Sequence, residues 1–194
     1  MRNDFSFKPT VTKEEIADLP IKKFSGEIHY VDSIRNVDHV VKELRQENTL
    51  GFDTETKPSF KKGVVNDVAL IQLSSSSKAY LFRLNKIGMP DSLARILADE
   101  SISKIGVAIH DDILSLRKLN DFKPAGFIEL QHFVKDYGIE DNGLKKLTAN
   151  VLGFKISKRQ QTSNWEAEQL SAAQIEYAAT DAWVCHEIYT TLIQ

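Results

Sequence analysis

Cysteine is almost missing from this chain: Cys185 is the only one among 194 residues. An internal disulfide is therefore excluded, and the composition suits a reducing compartment, so a cytoplasmic location is expected. No Cys/His pattern has the spacing of zinc ligands. No apolar run is long enough to cross a bilayer, and the N-terminal MRNDFSFKPTVTKEE lacks a signal-peptide stretch, so no membrane association is expected. Excess positive charge is missing too. The formal net charge is −2 and the pI about 6.2, which speaks against coating nucleic acid by bulk charge, because phosphate binding needs local Lys and Arg. An enzyme with a carboxylate-rich site escapes that exclusion, since bound cations can hold a phosphodiester. Repeats and low-complexity segments are also absent.

What is present is a length that suits one domain and an apolar fraction of 42%. Residues 1–25, with Pro9 and Pro20, read as an arm packed on a domain spanning 26–194. From Gly26 the pattern alternates. Strands are expected at Glu27–Val31, Thr49–Thr54, Val68–Leu73, Ala79–Leu84 and Ile102–Ile109. Helices are expected from a cap at Asp32 or Ser33 to about Glu47, from Pro90 to about Ala98, from about Asp112 to Leu119, from about Leu144 to Leu152 and from about Ala172 to Ile193. Strands followed by strand–helix alternation and then helices describe an α/β domain with a mixed sheet.

Carboxylates gather where these elements end. Asp53 and Glu55 lie in GFDTETK, after an apolar strand; two residues apart, they point to one face. Such a pair suits a hard divalent cation, and an acidic turn is the alternative. Asp111-Asp112 lies between KIGVAIH and ILSLRKL, where either residue can equally cap a helix. In YAATD, Tyr177 and Asp181 stand four apart, which stacks an acid and a phenol on one helix face. Four carboxylates and a tyrosine on three elements are what two-metal phosphoryl transfer requires.

In order and spacing, GFDTET, VALIQLSSSSKAYLF, GVAIHDDILSLRKL, QTSNWE and YAATDA resemble the DEDD superfamily of 3′→5′ exonucleases, tyrosine-containing branch, with its Werner-type and ribonuclease D-type members. The resemblance runs from about Thr49 to Leu192. It implies a ribonuclease H-like mixed sheet of five strands flanked by helices. It places Asp53, Glu55, Asp112 and Asp181 as ligands of two divalent ions, Mg²⁺ or Mn²⁺, and Tyr177 as the group that orients the attacking water. Asp112 is preferred to Asp111 because it precedes Ile113 and stands six residues after Gly106. The implied partner is the 3′ end of DNA or RNA, cut to nucleoside 5′-monophosphates; no protein partner is identified. Thr54 and Leu144 take positions near the terminal nucleotide, while Thr56 departs from a tryptophan frequent in Werner-type sequences. Residues 143–165 carry Lys145, Lys146, Lys155, Lys158 and Arg159, a plausible phosphate track or a solvated face. Two other readings stand beside this one. An inactive binding member would be expected to lack a carboxylate, and an endonuclease would not be expected to keep Y-x-x-x-D.

Overall fold

The computed structural model describes residues 7–59, 61, 63 and 66–194. Among these described residues, six strands form one sheet in the order β1-β4-β3-β2-β5-β6: β1 (Glu27–Val31), β2 (Thr49–Thr56), β3 (Val68–Ser74), β4 (Lys78–Phe82), β5 (Ser103–Gly106) and β6 (Phe127–Glu129). β2–β3 and β3–β4 are antiparallel, whereas β1–β4, β2–β5 and β5–β6 are parallel. The mixed sheet expected from the sequence is therefore present, with six strands in place of five. The added strand, β6, is three residues long and holds its place by pairing with β5, a tertiary cause that leaves little local pattern.

The sheet is covered on both faces. Leu50, Phe52, Ile71, Leu73, Tyr80 and Phe82 face a core shared with α2 (Val37–Leu44), α4 (Asp91–Leu97) and α5 (His110–Leu119). The alternate residues Leu70, Ala79 and Leu81 face Trp165, Tyr177 and Ala178, the last two on the long helix α8 (Ala172–Ile193). Here the period of two along each strand sorts side chains between two cores. β3 is buried along its whole length, as a central strand must be.

Several boundaries differ from the sequence reading. β5 stops at Gly106, because the chain turns at Ala108, whose φ is +59°, to enter α5. β4 ends at Phe82, and Leu84 instead opens the short α3 (Leu84–Ile87). α2 ends at Leu44 and is preceded by a 3₁₀ turn, Ile34–Asn36. The helix expected at Leu144–Leu152 is α7 (Leu144–Leu147) followed by a π turn, Thr148–Leu152. The short helices α1 (Lys13–Ala17) and α6 (Leu130–Phe133) had no counterpart in that reading. α1 is closed by a capping box between Thr12 and Glu15. The segment before β1 lies on the body of the chain. Val11 N–H donates to Asp141 Oδ2 at 2.8 Å, Lys155 N–H to Pro20 O at 2.9 Å, and Phe24 N–H to Thr180 Oγ1 at 3.0 Å.

Candidate active site

The site forms where β2 meets α8. α8 starts at a capping box, Ser171 with Gln174, in which each side chain accepts from the other's backbone N–H. It then lies directly on β2, and Gly51 is the residue that lets it do so. A Cβ built on Gly51 would stand 1.8 Å from Ala182 O and 2.9 Å from His186 N. Gly51 is two residues before Asp53, and Ala182 follows Asp181, so this contact brings the two acids to one level.

Asp53, Glu55 and Asp181 each offer a carboxylate oxygen, and all three oxygens lie within 4.8 Å of one another. Tyr177 stands one turn before Asp181 on the same helix face, its ring 6.0 Å from that of the fully buried Trp165. Together with Thr54, Val107, Leu144, Ile156, Lys158, Gln161 and Cys185 these groups line a cleft of about 250 Å³.

Crowding acids away from water makes their charges costly. Loss of solvent and then the charges of Asp181 and Asp112 hold Asp53 well above the ordinary carboxylate range. Burial, followed by repulsion from Asp53, Asp181 and Asp112, pushes Glu55 up to about 10. Burial raises Asp181 to about 7, against the lowering influence of Tyr177 and Lys158. Tyr177 is pushed above its normal value by burial first and then by the facing acids, so its phenol stays protonated and donates. Among the described residues, Asp181 Oδ1 is buried without a hydrogen-bond partner. A hard divalent cation fits this donor set. It prefers oxygen ligands, removes the repulsion, and supplies the partner that Asp181 Oδ1 lacks.

Asp112 is placed differently. It is not one of the three acids that converge within 4.8 Å. It sits in the first turn of α5, its Oδ1 accepts from Thr54 Oγ1 at 2.6 Å, and its charge is still felt by Asp53 and Glu55. Thr54 stands between Asp53 and Glu55 on β2 and lines the same cleft, so it links Asp112 to the edge of the site. The Thr54 hydroxyl is thus engaged by Asp112. Asp111 is exposed. Of the basic residues singled out in the sequence, Lys158 lines the cleft, and Lys145 lines a neighbouring trough. Lys146 is drawn off by Asp141, at 2.8 Å.

A further residue, Glu129, escaped the sequence reading. From the end of β6 its carboxylate accepts N–H bonds from Ala108 (3.0 Å), Ile109 (2.9 Å) and Gln131 (3.1 Å). α5 has no side-chain cap of its own, so Glu129 caps it from a distance and pins the left-handed turn at Ala108. The only local signal is F-I-E after Gly126, too short to be read as a strand.

A two-faced mixed sheet with converging strand and helix carboxylates defines a ribonuclease H-like nuclease fold of the DEDD type. Residues 28–194 match the family model for the 3′–5′ exonuclease domain, and the chain belongs to that family. It is 33% identical over 196 aligned positions to the mouse bifunctional 3′–5′ exonuclease/ATP-dependent helicase WRN, covering 95% of this chain and 14% of that protein. To a 3′–5′ exonuclease of Arabidopsis thaliana it is 28% identical, covering 90% of this chain and 66% of that one. The chain thus spans between about one seventh and two thirds of these relatives. Among solved structures, the EXO domain of Aedes aegypti Nibbler superposes with a TM-score of 0.78 at 25% identity, covering 88% and 90% of the two chains. Escherichia coli RNase D shares the fold, with a TM-score of 0.77 at 23% identity over 86% of this chain and 44% of that one.

Proposed function

We propose that the chain hydrolyses the last phosphodiester at the 3′ end of a DNA or RNA strand and releases nucleoside 5′-monophosphates. The observation that carries this reading is the convergence of Asp53, Glu55 and Asp181 within 4.8 Å beside Tyr177. In this reading the three acids hold a divalent ion, Mg²⁺ or Mn²⁺, and Asp112 supports a second from the rim of the cleft. Bound there, such ions lower the pKa of a water and neutralise charge on the phosphorus oxygens. The chain's own groups do the rest. Tyr177, kept protonated, donates its O–H to orient the attacking water along the scissile bond. Lys158, across from Asp181, offsets the negative charge of the phosphate as it enters. Leu144 presents apolar surface to the terminal nucleotide. A reducing, cytoplasmic setting fits the buried Cys185.

The test is digestion of 5′-labelled DNA and RNA oligonucleotides with Mg²⁺, with Mn²⁺ and with EDTA. A ladder shortening by single nucleotides, monophosphate products and loss of activity in EDTA are expected. Internal cuts, or full activity in chelator, would overturn the reading.

A further inference from the structure

A trough of about 600 Å³ lies beside the cleft. It shares Ile156, Lys158 and Tyr177 with the cleft, so the two are continuous. Its lining is strongly basic in a chain whose net charge is −2: seven of its seventeen residues are Lys or Arg. Glu176 is the one acid among them, and Lys23 already pairs with it at 2.6 Å.

Two separate pieces of chain supply these cations. The segment before β1 gives Lys13, Lys22 and Lys23. The opposite side gives Lys155, Lys158 and Arg159, with Lys145 from α7. The two sides are stitched together, since Lys22 N–H donates to Lys155 O at 3.0 Å and Lys155 Nζ reaches Ala17 O. Lys22 lies over the Phe154 ring, 5.0 Å from its centre. The side chains of Lys13, Lys145 and Arg159 have no ion-pair or hydrogen-bond partner among the described residues. Gathering unpaired cations costs free energy through mutual repulsion, and an anionic chain laid between them removes that cost. Ile21 lies in the same trough and is 67% exposed, an apolar surface that a base can cover.

We propose that the segment Lys13–Lys23 forms one wall of a track for the backbone of an unpaired strand, holding the nucleotides that precede the scissile bond. This rests on the exonuclease reading above and adds to it a substrate-holding role for the segment before β1. A cation-lined groove with apolar patches is how proteins hold single strands without reading sequence. The expected behaviour is a rate that rises with tail length and then levels off.

The experiment uses the full chain in EDTA and follows anisotropy of labelled oligo-dT and oligo-U of about two to eight nucleotides, a range that brackets a small single-strand site. Affinity should rise with length and fall with salt. Each lost phosphate contact lowers the log–log salt slope by about 0.7 for single strands. Lys13→Gln with Lys22→Gln should therefore lower it by about 1.4, which is about 25-fold in affinity per decade of salt. A length series that is flat for the wild-type chain would overturn the proposal without any variant. So would an unchanged slope in the double variant, or equally tight binding of poly-glutamate, which would make the trough a surface for any acidic chain. Wild-type hydrolysis of a dinucleotide, which is too short to need a long track, reports on the exonuclease reading separately. Hydrolysis with a flat length series sinks only the track, whereas no hydrolysis of any length sinks the activity.

Discussion

Replacing Glu129 with alanine removes three hydrogen bonds to backbone N–H groups without touching an acid of the cleft. Two of them hold Ala108 and Ile109 at the start of α5. Loss of a helix cap costs about 0.5–2 kcal/mol. Ala108 sits at φ +59°, a conformation that costs a non-glycine residue about 1–2 kcal/mol. The clamp and the strain it opposes are thus of similar size. Without Glu129 the turn should relax and carry Asp112 with it. The expected loss of stability is about 1–2 kcal/mol, or a Tm lower by about 2–8 °C for a domain of this size. Misplacement of a catalytic group by about 1 Å can cost on the order of 100-fold, so kcat should fall by about 10- to 100-fold. Glu129→Gln keeps one accepting oxygen and should fall between. Adding Ala108→Gly to Glu129→Ala should restore part of kcat, because glycine adopts positive φ without strain. The assay is steady-state hydrolysis of one labelled oligonucleotide with thermal melts of every variant. A Glu129→Ala protein with wild-type kcat would refute the link from β6 through the Ala108 turn to Asp112, and so would a double variant no better than the single.

Four further outcomes are expected. Tyr177→Phe deletes the phenol O–H but keeps the ring against Trp165; kcat should drop by up to about 10²–10⁴-fold with an unchanged Tm, and wild-type kcat would make the hydroxyl structural. Asp112→Asn should nearly abolish turnover while Asp111→Asn, at an exposed position, should leave most of it; kinetics of the pair decide, and the reverse result would shift the motif by one residue. In EDTA, Glu55 at about 10 and Asp181 at about 7 both titrate above their unfolded values. Their contribution is therefore complete below about pH 4 and is lost as pH rises through 7 and then 10. Metal-free melts should fall across that window and flatten when Mg²⁺ is added, and a chelated Tm that climbs instead would contradict the repulsion. Gly51→Ala puts a Cβ 1.8 Å from Ala182 O, so α8 must move off β2 at a cost of about 1–3 kcal/mol; a lower Tm and lower kcat together are expected, and normal values of both would show that the contact yields.

Parts of the site that lie within one element can be read from residue order alone. A strand has a period of two, so GFDTET alone puts Asp53 and Glu55 on one face. A helix has a period of 3.6, so YAATD alone puts Tyr177 beside Asp181. The alternating apolar runs of β2, β3 and β4 announce a sheet covered on both faces in the same way. Contacts between elements far apart in the chain come instead from how those elements pack. β6 exists because β5 lies beside it, and only then does Glu129 reach the turn before α5. Thr54 meets Asp112 through the packing of α5, which a list of polar residues cannot reveal. Lys145 and Lys146 are neighbours in sequence, yet Asp141, which also anchors Val11, binds only Lys146. Lys13 and Lys22 meet Lys155 and Arg159 across more than a hundred residues. Local periodicity fixes the direction of a side chain, whereas its partners are set by packing, and packing is a property of the whole chain.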